Sequence, residues 1–285
     1  MSHAWMPGSP CGQGCLGGQE PTVGRVVRVL RIVGVVTVVL LSLLSLLFLP
    51  LIGGRGRNWL TRAIFRAVLV AVGVRLVVHG EIPGPGRGAL VVNNHTSWLD
   101  IVAVNAVRPM RAVAKKDIAS WPVLGWLVSA AGSVYVDREN IRSLPGTVAA
   151  LADTLRAGAM VNVTPEGTTW CGLTHGRFRP ALFQAAIDGG VPVLPVALRF
   201  RLRGGAATTA PAFIGDETIV DSVRRTAALR GLVIEVHVLD EIAPGRAQDR
   251  HELARLAERA VDDVLVPASL PAENHWTSSA VEVAR

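Results

Sequence analysis

The chain has 285 residues, enough for one sizeable core plus an additional segment, and half of them are hydrophobic. Lys and Arg outnumber Asp and Glu by 29 to 22, a net charge of +7, which together with the apolar content suits a membrane surface carrying anionic lipid. A single Tyr, no basic-aromatic alternation and no nucleic-acid motif argue against DNA or RNA as partner, and three cysteines are too few for a disulfide framework.

Residues 1–24 are rich in Gly, Pro and Ser without hydrophobic periodicity, which predicts a disordered tail. The apolar run comes too late for a signal peptide. Ile32 to Ile52 carries no charge, and as a helix it is about 31 Å long, enough to cross a bilayer's hydrocarbon. Arg25, Arg28 and Arg31 precede it, and Arg55, Arg57 and Arg62 follow it. Positive charge on both flanks gives no orientation by the positive-inside rule. It fits a helix that dips into one leaflet and returns, with Pro50 and Gly53-Gly54 as the break. Asn58 to Val78 reads as the returning arm or an interfacial helix, Arg62 and Arg66 sharing one face. Residues 25–79 are therefore expected to form a membrane-associated helical segment.

From Gly80 onward short apolar runs alternate with helical patterns. Strands are expected at 89–92, 111–114, 133–136, 160–163, 193–198 and 233–239, and helices at 97–107, 123–131, 141–157, 179–188 and 248–265. This alternation predicts one α/β domain over 80–266, with a central, largely parallel sheet flanked by helices; residues 267–285 read as a polar, frayed tail. In such sheets reacting groups gather at the strands' C-terminal ends. His95, Asp137-Arg138 and Glu166-Gly167 each follow a predicted strand.

His95 and Asp100 are the central pair. On one continuous helix they would stand about 140° apart. With His95 in the turn before a helix capped by Thr96 or Ser97, Asp100 can reach back to a ring nitrogen and leave the other as a general base. No Gly-x-Ser-x-Gly elbow is present, and Cys171 has no evident base partner, so direct attack by an acceptor hydroxyl is favoured over a covalent intermediate. Backbone N–H groups at Gly167 and Thr168 are candidate oxyanion donors. Cys171 and His175 have metal-like spacing, and Cys11 with Cys15 would complete four ligands. That closure requires a floppy tail to fold back, so free thiols in a reducing compartment and no metal are expected.

The Asn94-His95-x4-Asp100 stretch, Gly132-Ser133-Val134-Tyr135-Val136-Asp137-Arg138, Pro165-Glu166-Gly167-Thr168 and Val191-Pro192-Val193-Leu194-Pro195-Val196 together resemble, in order and spacing, the four motifs of the PlsC-like glycerolipid acyltransferases, the lysophosphatidic acid acyltransferase family. Val113-Ala114-Lys115-Lys116 and Pro122-Val123-Leu124-Gly125-Trp126 also fit, so the resemblance spans roughly residues 80–200. It implies an acyltransferase domain preceded by a membrane helix or a two-helix membrane element, at the cytoplasmic face of the cell membrane. The implied activity is acylation of 1-acyl-sn-glycerol-3-phosphate at the sn-2 hydroxyl, with acyl-CoA or acyl carrier protein as the thioester co-substrate and no further cofactor. Another lyso-lipid acceptor, such as a lyso-ornithine lipid, is the alternative.

Arg138 is the leading phosphate candidate, against a salt bridge to Asp137 or Glu139, and Lys115 and Lys116 could assist or meet lipid headgroups. Glu166 could bind acceptor hydroxyls or hold its loop through backbone hydrogen bonds. Trp98, Trp121, Trp126 and Trp170 suit either an interface or a core. The third motif of the family commonly continues Thr-Arg-Ser, the Arg being associated with the acceptor's phosphate, whereas this chain has Thr168-Thr169-Trp170. The missing cation is expected from Arg177 and Arg179, which flank Phe178 ahead of a helix whose N-terminal dipole also favours an anion.

Overall fold

The computed structural model describes residues 8–18, 20–48, 51–84, 86–137 and 140–265. Two helices come first, α1 (Arg25–Leu46) and α2 (Gly54–Val72). Among the described residues α1 alone is long and apolar enough to cross a membrane; its most apolar window has a mean hydropathy of 2.5 and is only 6% buried. The start of α1 lies against the end of α2, where a Cβ added at Gly34 would stand 3.3 Å from that of Ala71. The two helices thus form a hairpin. Arg31 fastens it to the rest of the chain, donating from Nη1 to the carbonyls of Ala227 (3.1 Å) and Leu229 (2.7 Å). Along α1, Leu30, Val33, Val36, Leu40, Leu41 and Leu44 remain more than half exposed, a contiguous apolar surface that needs a non-aqueous partner.

Arg62 and Arg66 do share one face of α2, and it is turned toward α3 (Leu99–Val107). Both donate through Nε to the carbonyl of Ala106, at 3.2 and 3.1 Å, in the last turn of that helix, where helix carbonyls lack partners and the dipole favours cations. The returning arm is also shorter than expected. Gly73, at φ 81°, ends α2 in a left-handed cap, and Arg75–His79 becomes strand β1.

After β1 come β2 (Ala89–Asn93), then α3, β3 (Arg111–Lys115), α4 (Leu124–Ala130), β4 (Val134–Val136), α5 (Leu144–Arg156), β5 (Met160–Val163), α6 (Gln184–Gly189), β6 (Val193–Leu202), α7 (Ile219–Ala228), β7 (Leu232–Val238) and α8 (Arg250–Leu265). The seven strands form one sheet in the order β1-β7-β6-β2-β5-β3-β4. All neighbouring pairs are parallel except β6 and β7. Alternate residues of β2 feed opposite faces: Val91 packs with Leu99 of α3 and Val72 of α2, while Leu90 and Val92 pack with Leu151 of α5 and Leu253 of α8. All five β2 residues are buried, as expected of a parallel strand covered on both sides.

The N-terminal segment corrects the expectation of a disordered tail. Cys11 is buried, Gly17 N donates to Thr209 Oγ1 (2.9 Å), Thr208 Oγ1 donates to Glu20 Oε1 (2.6 Å), and Val23 N donates to the Ala228 carbonyl (2.8 Å). Polar contacts of this kind have no hydrophobic period to betray them in sequence. Residues 1–7 and the expected C-terminal tail from 266 onward lie outside the described residues.

If the bare surface of α1 is what meets lipid, charging it should detach the protein without unfolding it. Leu40→Asp with Leu44→Asp, both at exposed positions, is expected to shift the protein from the membrane to the soluble fraction with an unchanged melting temperature, read by flotation on anionic vesicles. Full retention on the vesicles would assign membrane binding to another surface.

Candidate active site

β2 runs into a turn that two asparagines pin to the neighbouring strands. Asn93 Oδ1 accepts from Asn162 Nδ2 on β5 (2.7 Å), and Asn93 Nδ2 donates to the Asn94 carbonyl (2.6 Å). Asn94 brackets Leu198 on β6, its Nδ2 donating to the Leu198 carbonyl (3.0 Å) and its Oδ1 accepting from the Leu198 N–H (2.8 Å). Buried amides can be this well matched because each has both donor and acceptor capacity. The result is a rigid platform for the next residue, His95.

His95 Nδ1 lies 2.9 Å from Asp100 Oδ2, as the five-residue spacing predicts. The capping is different from that expected. α3 begins at Leu99, and instead of Thr96 or Ser97 capping Asp100's helix, the carboxylate of Asp100 reaches back: Oδ2 also accepts from Thr96 N (2.7 Å) and Ser97 N (2.8 Å). Ser97 Oγ accepts from Leu99 N, at 3.3 Å. Asp100 is fully buried, whereas the His95 side chain keeps 21% of its surface exposed. A carboxylate taking three donors on one oxygen holds the imidazole from below and leaves its outer nitrogen, Nε2, for chemistry.

Glu166 meets this turn from the loop after β5. Its Oε2 accepts from His95 N (2.8 Å) and its Oε1 from Gly176 N (3.3 Å). Both oxygens thus serve the backbone, and only 3% of the residue is exposed, so of the two roles open to it Glu166 fills the loop-holding one. Burial pushes its carboxyl up to about 8, against the pull of those two N–H donors. Two further backbone bonds strap the turn: Trp170 N to the His95 carbonyl and Phe213 N to the Thr96 carbonyl, both 2.8 Å. Thr169 is drawn into the second strap, its hydroxyl donating to the Phe213 carbonyl. Gly167, at φ 78°, closes a tight turn by donating its N–H to the Thr164 carbonyl (3.1 Å). That amide is therefore already engaged, and of the two candidate oxyanion donors Thr168 N–H is the one without an acceptor among the described residues.

A cleft of about 330 Å³ opens beside this turn, lined by Val136, Asp137, Thr164, Gly167, Arg179 and Arg250 among others. His95 is not among the residues that line it, whereas Gly167, next to Glu166, is. Arg179 therefore falls where an acceptor group could reach it, while Arg177 is exposed beyond the lining, with Phe178 buried between the two. The helix after them starts as a 3-10 turn, Pro180–Phe183, and its α part spans only six residues, so its dipole adds little to anion binding. Arg138 lies outside the described residues. Lys116 Nζ pairs with Asp137 Oδ2 (3.1 Å) and Lys115 with Asp117. Trp98 and Trp170 pack against core clusters, whereas Trp121 and Trp126 are 41% and 71% exposed. Arg250, at the start of α8, is the site residue that sequence reading missed; no local motif surrounds it.

A family model described as Acyltransferase matches residues 75–199. The 1-acyl-sn-glycerol-3-phosphate acyltransferase of Neisseria gonorrhoeae is 35% identical over 211 residues, covering 74% of this chain and 82% of that one. A lyso-ornithine lipid O-acyltransferase of Pseudomonas aeruginosa is equally similar, 35% over 218 residues, with 76% and 82% covered. Among solved structures, the PlsC 1-acyl-sn-glycerophosphate acyltransferase of Thermotoga maritima shares the fold, with a TM-score of 0.62 over 84% of this chain and 93% of that one, at 20% identity. With the first and third motifs joined through His95 and Glu166 and relatives this similar over about three quarters of its length, the chain belongs to the PlsC-like glycerolipid acyltransferases and is an acyltransferase.

Proposed function

We propose that the enzyme acylates the sn-2 hydroxyl of 1-acyl-sn-glycerol-3-phosphate at the cytoplasmic face of the membrane, from acyl-CoA or acyl carrier protein. His95 Nε2 takes the proton of the acceptor hydroxyl as its oxygen attacks the thioester carbonyl. The negative charge developing on that carbonyl oxygen is met by backbone N–H, for which Thr168 is the candidate. Collapse of the tetrahedral intermediate breaks the carbon–sulfur bond, and the imidazolium returns the proton to the departing thiolate. Asp100, negative and buried against Nδ1, favours the imidazolium formed midway.

The observation that carries the acceptor assignment is Arg179, a cation lining the cleft together with Gly167, one residue from the glutamate that touches His95. Arg250 lines the same cleft and adds charge. Arg177, exposed next to Phe178, and Arg138, from its motif position, are further candidate cations. The lyso-ornithine reading draws on a different observation, that Thr169 supplies no cation where the family has Arg and spends its hydroxyl on Phe213.

The Arg179→Ala enzyme separates the two. Its apparent KM for lysophosphatidic acid is expected to rise by about one to two orders of magnitude, the loss of a charge-assisted hydrogen bond of roughly 1.5–3 kcal/mol, with KM for the acyl donor nearly unchanged. Small, equal changes for both substrates, together with a wild-type preference for a phosphate-free acceptor, would move the assignment to the lyso-ornithine lipid.

A further inference from the structure

All three cysteines of the chain meet at one point. Cys11 and Cys15 come from the N-terminal segment and Cys171 from the loop after the third motif, yet their sulfurs all lie within 4.8 Å of one another. Cys11 and Cys171 are buried and Cys15 half-buried, in a small cluster of their own with Ala212, Ile214 and Trp170. All three are free thiols. The objection raised by the sequence, that a floppy tail would have to close such a site, falls away because the tail is folded against the domain. His175, the other residue the spacing suggested, is turned elsewhere, its Nε2 3.3 Å from Asp262 Oδ1.

Polar backbone surrounds two of the sulfurs. Cys171 N donates to Cys11 Sγ (3.3 Å). Cys171 sits at the start of a turn that passes through Gly172 at φ 91°, and the backbone and hydroxyl dipoles of Leu173 and Thr174 offset its burial and hold its thiol below the usual range. Cys15 is presented by a single 3-10 turn, Gln13–Cys15, closed by Cys15 N to the Gly12 carbonyl (2.9 Å). The Thr174 hydroxyl lies 4.0 Å from Cys11 Sγ and 3.8 Å from Cys171 Sγ. Thiolates bound to one zinc ion at about 2.3 Å each stand roughly 3.8 Å apart in a tetrahedral site, a small contraction from the distances here. A disulfide would use two of these sulfurs and leave the third buried beside it without a role. Soft sulfur donors select zinc and similar thiophilic ions over magnesium or calcium.

We propose that Cys11, Cys15 and Cys171 form a three-thiolate site for a zinc-like divalent cation, its fourth position taken by a water or another exogenous donor. Binding displaces the three thiol protons. The ion then clamps the N-terminal segment onto the loop that carries Trp170, whose N–H holds the His95 carbonyl. It takes no part in acyl transfer; it fixes a strap of the catalytic turn.

The test uses untagged full-length enzyme purified without chelators. Elemental analysis is expected to find one zinc per chain, and thiol titration of the denatured, chelated protein to find all three cysteines reduced. Replacing zinc with Co2+ should give a thiolate-to-metal charge-transfer band that weakens in Cys15→Ser, along with loss of stoichiometric zinc from that variant. Cys15 is the most exposed of the three, and far-ultraviolet circular dichroism checks its fold; should the variant unfold, the Co2+ titration of the wild type decides alone. Wild-type protein that is free of zinc and gives no charge-transfer band, a disulfide between any two of the cysteines, or zinc retained unchanged in Cys15→Ser would each overturn the proposal.

Discussion

Replacing His95 with alanine is expected to lower acyl transfer by about 10²–10⁴-fold, the usual contribution of a positioned base, while leaving the melting temperature and vesicle binding close to wild type. The side chain is partly exposed, and its one described side-chain partner is Asp100, so its removal opens no core cavity. Asp100→Asn probes the other half of the pair. Its amide oxygen can still accept from His95 Nδ1 and the Thr96 and Ser97 N–H groups, but the charge favouring imidazolium is gone. Its NH2 group must enter the buried position of Oδ1, which has no hydrogen-bond partner. Turnover should fall by about 10²–10⁴-fold, and stability by roughly 1–3 kcal/mol for the unpaired donor. Near-normal turnover in His95→Ala, measured with labelled acyl-CoA and lysophosphatidic acid, would remove the base from the mechanism.

The second large effect is expected at Glu166, which never touches substrate on this reading. Glu166→Gln keeps one carbonyl oxygen but turns the other acceptor into a donor facing a backbone N–H, either that of His95 or that of Gly176. One strap is lost, and a base displaced by about 1 Å can cost on the order of 10² in rate; kcat should fall with the acceptor KM nearly constant. The same substitution has a pH signature. The folded-state carboxyl titrates near 8, above its ordinary value of 4.5, so the folded protein holds a proton that the unfolded chain has released. Wild-type stability attributable to this group is therefore complete below about 4.5 and is lost as pH rises toward 8. Glutamine does not titrate, so the difference in melting temperature between variant and wild type should shift in the variant's favour from pH 5 to pH 8. A difference that stays constant across that range would mean the buried carboxyl is not protonated at the lower pH.

Much of this architecture was legible in the sequence because parallel strands covered on both faces read as unbroken apolar runs, as Ala89 to Val92 does. The His95–Asp100 contact could be read because its geometry depends on a five-residue spacing and one turn. What escaped were features set by distant partners. β1 looked like more helix, since Leu76-Val77-Val78 continues the apolar pattern of α2 and only pairing with β7 makes it a strand. The role of Glu166 depended on which backbone groups would face it. The N-terminal segment is ordered by hydrogen bonds to residues 188 and 192 positions away, a separation at which composition is silent.

The join between α2 and β1 has a mechanical consequence. Only Gly73 and Val74 separate the hairpin from the sheet, Leu69, Val72 and Val74 are part of the main core, and the Arg31 guanidinium occupies the space beside Gly73 where a side chain would begin. A domain on a flexible tether samples many tilts above a bilayer and finds a lipid by trial. This one is mounted. With the hairpin seated in a bilayer, as proposed for this enzyme, the turn carrying His95 would have a set height and heading relative to the lipid plane, so the orientational search for a membrane-borne acceptor would be made once, at docking, and not again at each turnover.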